Sequence, residues 1–187
     1  MNISAVLLAG GESRRMGKDK ATMLLRGKPL WEIQLDLLRK LAPAEILISA
    51  RSDPPWRPDE FEFVADQPPS RGPLSGLAAA LEKMQGSHLL ALAIDMPFMS
   101  ETHLRSLCAR AEPGRGVLPR IENRAEPLAA IYPSEVRDDL GAALSGDDFS
   151  LQGLTRGLVR AGRFNVMDVS RAEAEFYRNL NEPADLL

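Results

Sequence analysis

Several residue types that would define a class of protein are scarce in this chain of 187 residues. It has one cysteine, Cys108. A lone thiol closes no internal disulfide and offers no metal-binding spacing, which excludes a disulfide scaffold and a cysteine-built metal site. Cys108 lies in an amphipathic helical stretch, where packing is its expected role. Histidine is nearly as rare, with only His88 and His103. Neither sits at the end of a strand-like run, so no Ser-His-Asp or Cys-His arrangement can be argued from them. Long apolar runs are also missing: the longest after the first strand covers residues 89–94, far short of the ~20 needed to span a bilayer. Residues 1–9 carry no basic leader and run straight into glycines, so they do not read as a signal peptide. The expected setting is the cytoplasm, with no membrane partner. Nor is there an excess of positive charge. The 23 Lys and Arg against 26 Asp and Glu leave a net −3, which argues against a nucleic-acid partner. No internal repeat or low-complexity segment is visible. An apolar content of 44% over this length suits one domain, residues 1–187, with a substantial core.

The informative stretch runs from Leu7 to Lys20. An apolar run, Ser4-Ala5-Val6-Leu7-Leu8-Ala9, stops at Gly10-Gly11, and Arg14, Arg15, Lys18 and Lys20 follow closely. Strands buried on both faces read as continuous apolar runs. Glycines let backbone approach a phosphate closely, and peptide N–H groups with Arg and Lys make an anion-binding surface. Two familiar motifs fail here. A Walker loop needs glycine where Glu12 stands and Ser or Thr where Asp19 stands, and the adjacent Gly10-Gly11 break the dinucleotide Gly-x-Gly-x-x-Gly pattern. A tight surface turn with solvated charges is the plain alternative.

The rest alternates strand and helix. Residues 21–25 read as a short strand closed by a turn at Arg26-Gly27-Lys28, and Pro29 suits the first turn of a helix. Leu30, Ile33, Leu37, Leu38 and Leu41 form its apolar stripe at helical spacing, and Pro43 ends it. Strands are predicted over 45–49, 61–65 and 88–94, with helices over about 73–85 and 101–111, the latter capped by Ser100. After residue 114 come strands at 116–119 and 127–132, helices at about 134–144 and 149–161, a strand at 164–169 and a short terminal helix. The pattern predicts an α/β fold with a mainly parallel, Rossmann-like sheet flanked by helices. Residues 1–113 form its nucleotide-binding part, and 114–187 a lobe covering one end of the sheet. Ligands collect beyond the carboxyl ends of strands in such sheets. Leu8, Ala9, Gly10, Gly11, Ser49, Asp66 and Asp95 stand there. Asp95 follows an apolar strand and is poorly solvated unless a cation meets it. Mg2+ is the natural partner, since it takes one or two carboxylates plus phosphate oxygens. Ordinary turn chemistry would also place an Asp at either strand end.

Residues 7–20 closely resemble the opening signature, L-A-G-G-x-S-x-R-M-G-x-D-K, of the molybdenum cofactor guanylyltransferase family. Two further segments are similar to motifs of that family. Gly72-Pro73-Leu74-Ser75-Gly76 matches G-P-L-x-G, and Asp95-Met96-Pro97 matches D-x-P. The ending Asn179-Leu180-Asn181-Glu182-Pro183 resembles N-x-N-T-P with Glu in place of Thr. The resemblance implies a nucleotide-diphospho-sugar transferase type of fold and transfer of GMP from GTP to molybdopterin, with or without its molybdenum, releasing pyrophosphate. It implies Mg2+ held by Asp95, and phosphates and nucleotide held by Leu8, Ala9, Gly10, Gly11 and Lys20. Lys20 and a loop arginine, Arg15, would offset charge in the reaction, with Asp66 and Ser49 at the guanine nucleotide. Proteins that handle molybdopterin are the implied partners. A cytidylyl- or sugar-nucleotide transferase of the same fold is the enzymatic alternative, and a catalytically silent nucleotide-binding regulator the non-enzymatic one.

Overall fold

The computed structural model describes residues 2–10, 19–66 and 69–180. Strand β1 (Ile3–Leu8) is the apolar run before the glycines. A single 3-10 turn, Lys20–Thr22, leads into a hairpin of β2 (Leu24–Leu25) and β3 (Lys28–Pro29). Then follow α1 (Leu30–Leu41), β4 (Ile46–Ala50), β5 (Glu62–Ala65), α2 (Pro73–Lys83), β6 (His88–Ala93) and α3 (Glu101–Arg110). The second half holds β7 (Gly116–Ile121), β8 (Arg124–Ala125), β9 (Ala129–Pro133), α4 (Arg137–Leu144), α5 (Leu151–Arg160) and β10 (Phe164–Asp168).

The main sheet runs β10-β7-β9-β6-β1-β4-β5, with β8 paired to β7. Strands β5, β4, β1 and β6 are mutually parallel, as is β10 to β7, while β9 lies antiparallel between β6 and β7. Strand β1 is central because the chain winds outward to β4 and β5, then crosses back to place β6 on the other side. That reversal is the switch point at which open α/β sheets bind ligands. Alternation divides the core between two faces. Ala5 and Leu7 of β1 meet Leu35, Leu38, Leu104 and Leu107 of α1 and α3. Val6 and Leu8 meet Leu74, Leu77, Leu140 and Leu158 of α2, α4 and α5. Helices on both faces explain why β1, β4 and β6 are buried and mostly apolar along their length rather than alternating, with Ser4, Ser49 and His88 as their polar members.

Three expectations change. The strand foreseen over 21–25 shrinks to Leu24–Leu25 because the Asp19 carboxylate accepts from Ala21 N–H at 3.0 Å and starts a 3-10 turn that buries Ala21 in the core. Arg26 and Gly27 then close the hairpin at φ 53° and 81°; a two-residue turn with both centres positive matches strand twist. On α1 the buried residues are Leu30, Gln34, Leu35 and Leu38, with Ile33, Leu37 and Leu41 only partly covered. Docking on the sheet rotates the stripe, and the Gln34 amide gains a hydrogen bond to the Ala93 carbonyl at 3.2 Å. The segment after residue 114 does not cover one end of the sheet: β7, β9 and β10 extend the sheet itself beyond β6. The terminal helix expected beyond Asn179 falls largely outside the described residues. Cys108 is half-buried against the core, and burial pushes its thiol up to about 11. A packing role follows, since the thiolate is the reactive form.

Candidate active site

The carboxyl ends of the central strands are tied by backbone. Ala9 N–H donates to the Ser49 carbonyl at 2.8 Å, Ile94 N–H to Leu8 at 3.0 Å, and Asp66 N–H to Ala50 at 3.0 Å. Two polar clusters stand on this edge.

The first surrounds Asp66. Ser49 Oγ donates to Asp66 Oδ1 at 3.0 Å and Ser70 Oγ to Oδ2 at 3.2 Å. Ser49 is buried, so its hydroxyl positions the carboxylate from within the fold. Gly10 and Gly76 close around them. A Cβ at Gly10 would stand 3.1 Å from Asp66 Oδ2, and one at Gly76 would stand 2.6 Å from Ser49 Oγ and 3.1 Å from Asp66 Oδ1. Glycine at 76 therefore answers a close approach. Gly76→Ala should cost about 1–2 kcal/mol, because the methyl displaces the Ser49 hydroxyl and leaves Asp66 short of a donor. Urea denaturation reads the loss, and adding Ser49→Ala to the same chain should recover part of it. A Gly76→Ala protein as stable as wild type would show that the crowding is relieved at no cost.

The second cluster joins Lys20 and Asp95. Lys20 Nζ donates to Asp95 Oδ2 at 3.2 Å and to the Leu180 carbonyl at 3.1 Å. Both side chains are about one-fifth exposed, at 21% and 23%. Asp95 is presented by the turn after β6, where Met96 N–H reaches back to Ala93 at 3.4 Å, and its own carbonyl accepts from Leu180 N–H at 2.8 Å. Beside the Leu8–Gly10 end lies a hollow of about 280 Å3 lined by Ala9, Gly10, Asp19, Ala50, Arg51 and Trp56, among others. Trp56 Nε1 donates to Asp19 Oδ2 at 2.8 Å, and its ring stacks on Trp31 with centroids 5.7 Å apart.

Leu8, Ala9, Gly10, Lys20, Ser49, Asp66 and Asp95 thus share one edge. Gly11, Arg14, Arg15, Lys18 and Asn181 lie outside the described residues. Asn179 is exposed. Ser70, Trp56 and the Leu180 peptide escaped the sequence. Ser70 and Trp56 sit in proline-rich loops without periodicity, and a backbone group has no residue signature. Among the described residues no three His, Cys, Asp or Glu gather as a metal cage, and no helix is long and apolar enough to cross a membrane.

The model of the MobA-like NTP transferase domain matches residues 5–163. The chain belongs to that family. This transferase domain is 34% identical over 186 residues to a probable molybdenum cofactor guanylyltransferase of Opitutus terrae, covering 98% of this chain and 92% of the relative. It is 28% identical to a molybdopterin-guanine dinucleotide biosynthesis protein A of Archaeoglobus fulgidus of known structure, with a TM-score of 0.66 over 98% of this chain and 94% of that one. The fold is also that of 2-C-methyl-D-erythritol 4-phosphate cytidylyltransferase from Thermus thermophilus, with a TM-score of 0.72 at 17% identity over 100% and 96% of the two chains. The expected nucleotide-diphospho-sugar transferase fold and nucleotidyltransferase class are met.

Neither histidine joins the transferase edge. His88 is buried between Ser87 Oγ and the Glu112 carbonyl, each at 3.0 Å. His103 is buried in α3, with Nε2 2.7 Å from the Tyr177 hydroxyl and Nδ1 3.4 Å from Glu173 Oε1. Burial lowers the His103 pKa against the opposing pull of Glu173. The folded ring stays neutral where the unfolded ring, near its ordinary 6.5, takes a proton. The stability this contributes is complete above about pH 6.5 and is lost as pH falls through the window below. Urea midpoints should decline from pH 7.5 to 5.5, and His103→Gln should flatten that slope. An equal slope in both proteins would assign the decline to other groups.

Proposed function

We propose that this chain transfers GMP from GTP to molybdopterin, releasing pyrophosphate. The observation that carries the proposal is the Lys20–Asp95 pair at 3.2 Å on the switch-point edge, beside the Leu8–Gly10 backbone, in a chain whose relatives are named for this activity. A phosphate oxygen of the acceptor attacks the α-phosphorus of GTP, the new P–O bond forms, and the bond to the β-phosphate breaks with pyrophosphate leaving. The substrate supplies the nucleophile, so the protein's task is positioning and charge neutralisation.

The Leu8–Gly10 end of β1, with Gly11 assigned from the motif it completes, forms the phosphate side. The N–H groups of the glycines serve as donors, because that of Ala9 is spent on the Ser49 carbonyl, and Asp66 and Ser49 stand on the nucleotide side. The Lys20 ammonium offsets charge gathering on the leaving pyrophosphate, and Arg15 is assigned the same task from the motif it completes. Asp95 fits Mg2+ because a single partly exposed carboxylate suits an ion that draws its remaining ligands from phosphate oxygens and water. When bound, Mg2+ neutralises phosphate charge. The acceptor lies toward residues 114–187, and a cytoplasmic location goes with GTP as donor.

The test supplies each of the four nucleoside triphosphates with molybdopterin and Mg2+ and follows pyrophosphate. GTP should be strongly preferred, since buried donors and acceptors matched to one base edge are left unpaired by another. Equal use of all four would move the assignment to the broader transferase fold, and binding without pyrophosphate release would make the chain a regulator. Within the same assay, Lys20→Ala should slow single turnover roughly ten- to a hundredfold, the loss of a charge-assisted contact of about 1.5–3 kcal/mol. A weaker GTP affinity with an unchanged rate would mean that Lys20 grips the nucleotide without acting in the transition state.

A further inference from the structure

The C-terminal segment from Glu173 to Leu180 is fastened along the edge that holds Lys20 and Asp95. Its short 3-10 helix, Glu173–Tyr177, buries Tyr177. The Tyr177 hydroxyl lies 2.7 Å from His103 Nε2, and the two rings meet edge-on at 5.4 Å and 89°. The Phe176 ring stands 5.3 Å from the same imidazole. Further on, the Arg178 guanidinium lies 4.1 Å from the centre of Phe98, in the loop between Asp95 and α3. The strap ends on Leu180, which is 1% exposed. There one residue's peptide groups reach both members of the pair: the N–H donates to the Asp95 carbonyl at 2.8 Å, and the carbonyl accepts from Lys20 Nζ at 3.1 Å.

Lysine is a compact charge on a flexible four-carbon stem, and its ammonium stays aimed only where several fixed acceptors hold it. Asp95 supplies one acceptor and Leu180 a second. The second is fixed only as long as the strap is. A single 3-10 turn has too few hydrogen bonds to order itself, so its seating depends on its anchors. The buried tie from Tyr177 to His103 is the stronger of these, since Arg178 is more than half exposed. With Glu173 facing Nδ1 at 3.4 Å, the imidazole takes the Nδ1–H tautomer and accepts from the tyrosine at Nε2.

We propose that Tyr177 and His103 are positioning residues: their tie seats the C-terminal strap so that the Leu180 peptide holds Lys20 and Asp95 in working register. The proposal rests on the transferase reaction above and adds to it two side chains that touch no reacting atom.

Tyr177→Phe keeps the ring and removes the hydroxyl, and His103→Asn breaks the same bond from the other end, so either variant alone decides the matter. Each should lower the single-turnover rate about tenfold while KM for GTP stays within twofold. Placed on Lys20→Ala, each should slow the reaction by less than it does alone, because the share of the effect carried through Lys20 is already lost and only the tie to Asp95 remains. Hydrogen exchange at the Leu180 amide should quicken in both. A rate unchanged in the single variants would overturn the proposal, whatever happens to the melting temperature. So would an equal loss in the Lys20→Ala background, or an unchanged Leu180 exchange rate. A wild type that releases no pyrophosphate from any nucleotide overturns the proposed reaction instead, and the exchange measurement still decides whether the tie seats Leu180.

Discussion

Asp95→Ala should abolish pyrophosphate release and leave the fold standing. The carboxylate adds little to stability, since its side chain is 23% exposed and its side-chain partner among the described residues is Lys20, 21% exposed. Ion pairs of that kind contribute about 0–1 kcal/mol. The Asp95 link to the strap runs through its main-chain carbonyl, which alanine retains. Activity is another matter. The substitution removes the carboxylate proposed above to anchor a metal at the phosphates, and it takes from the Lys20 ammonium an acceptor at 3.2 Å. Loss of a preorganised electrostatic group in a reaction site slows turnover about 10²–10³-fold, and here the metal and the lysine are affected together. A rate reduced at least a thousandfold, about 4 kcal/mol, is therefore expected, with a melting temperature within a few degrees of wild type. Asp95→Asn should be almost as slow, because the amide keeps the shape without the charge. Near-normal pyrophosphate release from a folded Asp95→Ala protein would remove Asp95 from the chemistry.

Gly116→Ala should have the largest effect on the fold. Gly116 opens β7 and is buried where that strand meets β9. A Cβ there would stand 2.0 Å from the Ile131 carbonyl oxygen and 2.9 Å from Pro133 Cδ. The first of these is backbone inside the sheet, so no side-chain rotation relieves it. The two strands would have to separate where Val117 pairs with Ile131. Overpacking of a tight core costs about 1–3 kcal/mol, and more where backbone must move. A cost of about 3 kcal/mol or more is expected, a large fraction of a domain's net stability. Circular dichroism and urea denaturation decide it, and a wild-type midpoint would mean that β7 and β9 tolerate a wider spacing.

The positions of the candidate site were legible in the sequence wherever burial imposed a pattern. The strand before the glycines and Asp95 could be placed because parallel strands buried on both faces are near-continuous apolar runs whose ends are marked by glycine or a polar residue, and Asp66 because it closes the short edge strand β5 before a proline-rich loop. The Ser100 cap was equally readable, and its hydroxyl accepts from His103 N–H at 3.1 Å. Boundaries near special backbone chemistry were not. The Asp19-capped turn shortened one strand, and sheet docking rotated the buried stripe of α1 toward Gln34.

The α/β class, the strand ends that carry the candidate site and the family resemblance are all written in residues close together along the chain, and so could be read from it. Packing alone set β9 antiparallel between β6 and β7 and made the later strands extend the sheet. Packing likewise turns the Ser49 hydroxyl to Asp66, brings Lys20 to a carboxylate 75 positions away, and lets Leu180 reach both members of that pair. Those facts depend on how finished elements dock and where side chains then point. Hydrophobic periodicity records which face of an element is buried, and carries no information about which distant partner the buried face will meet.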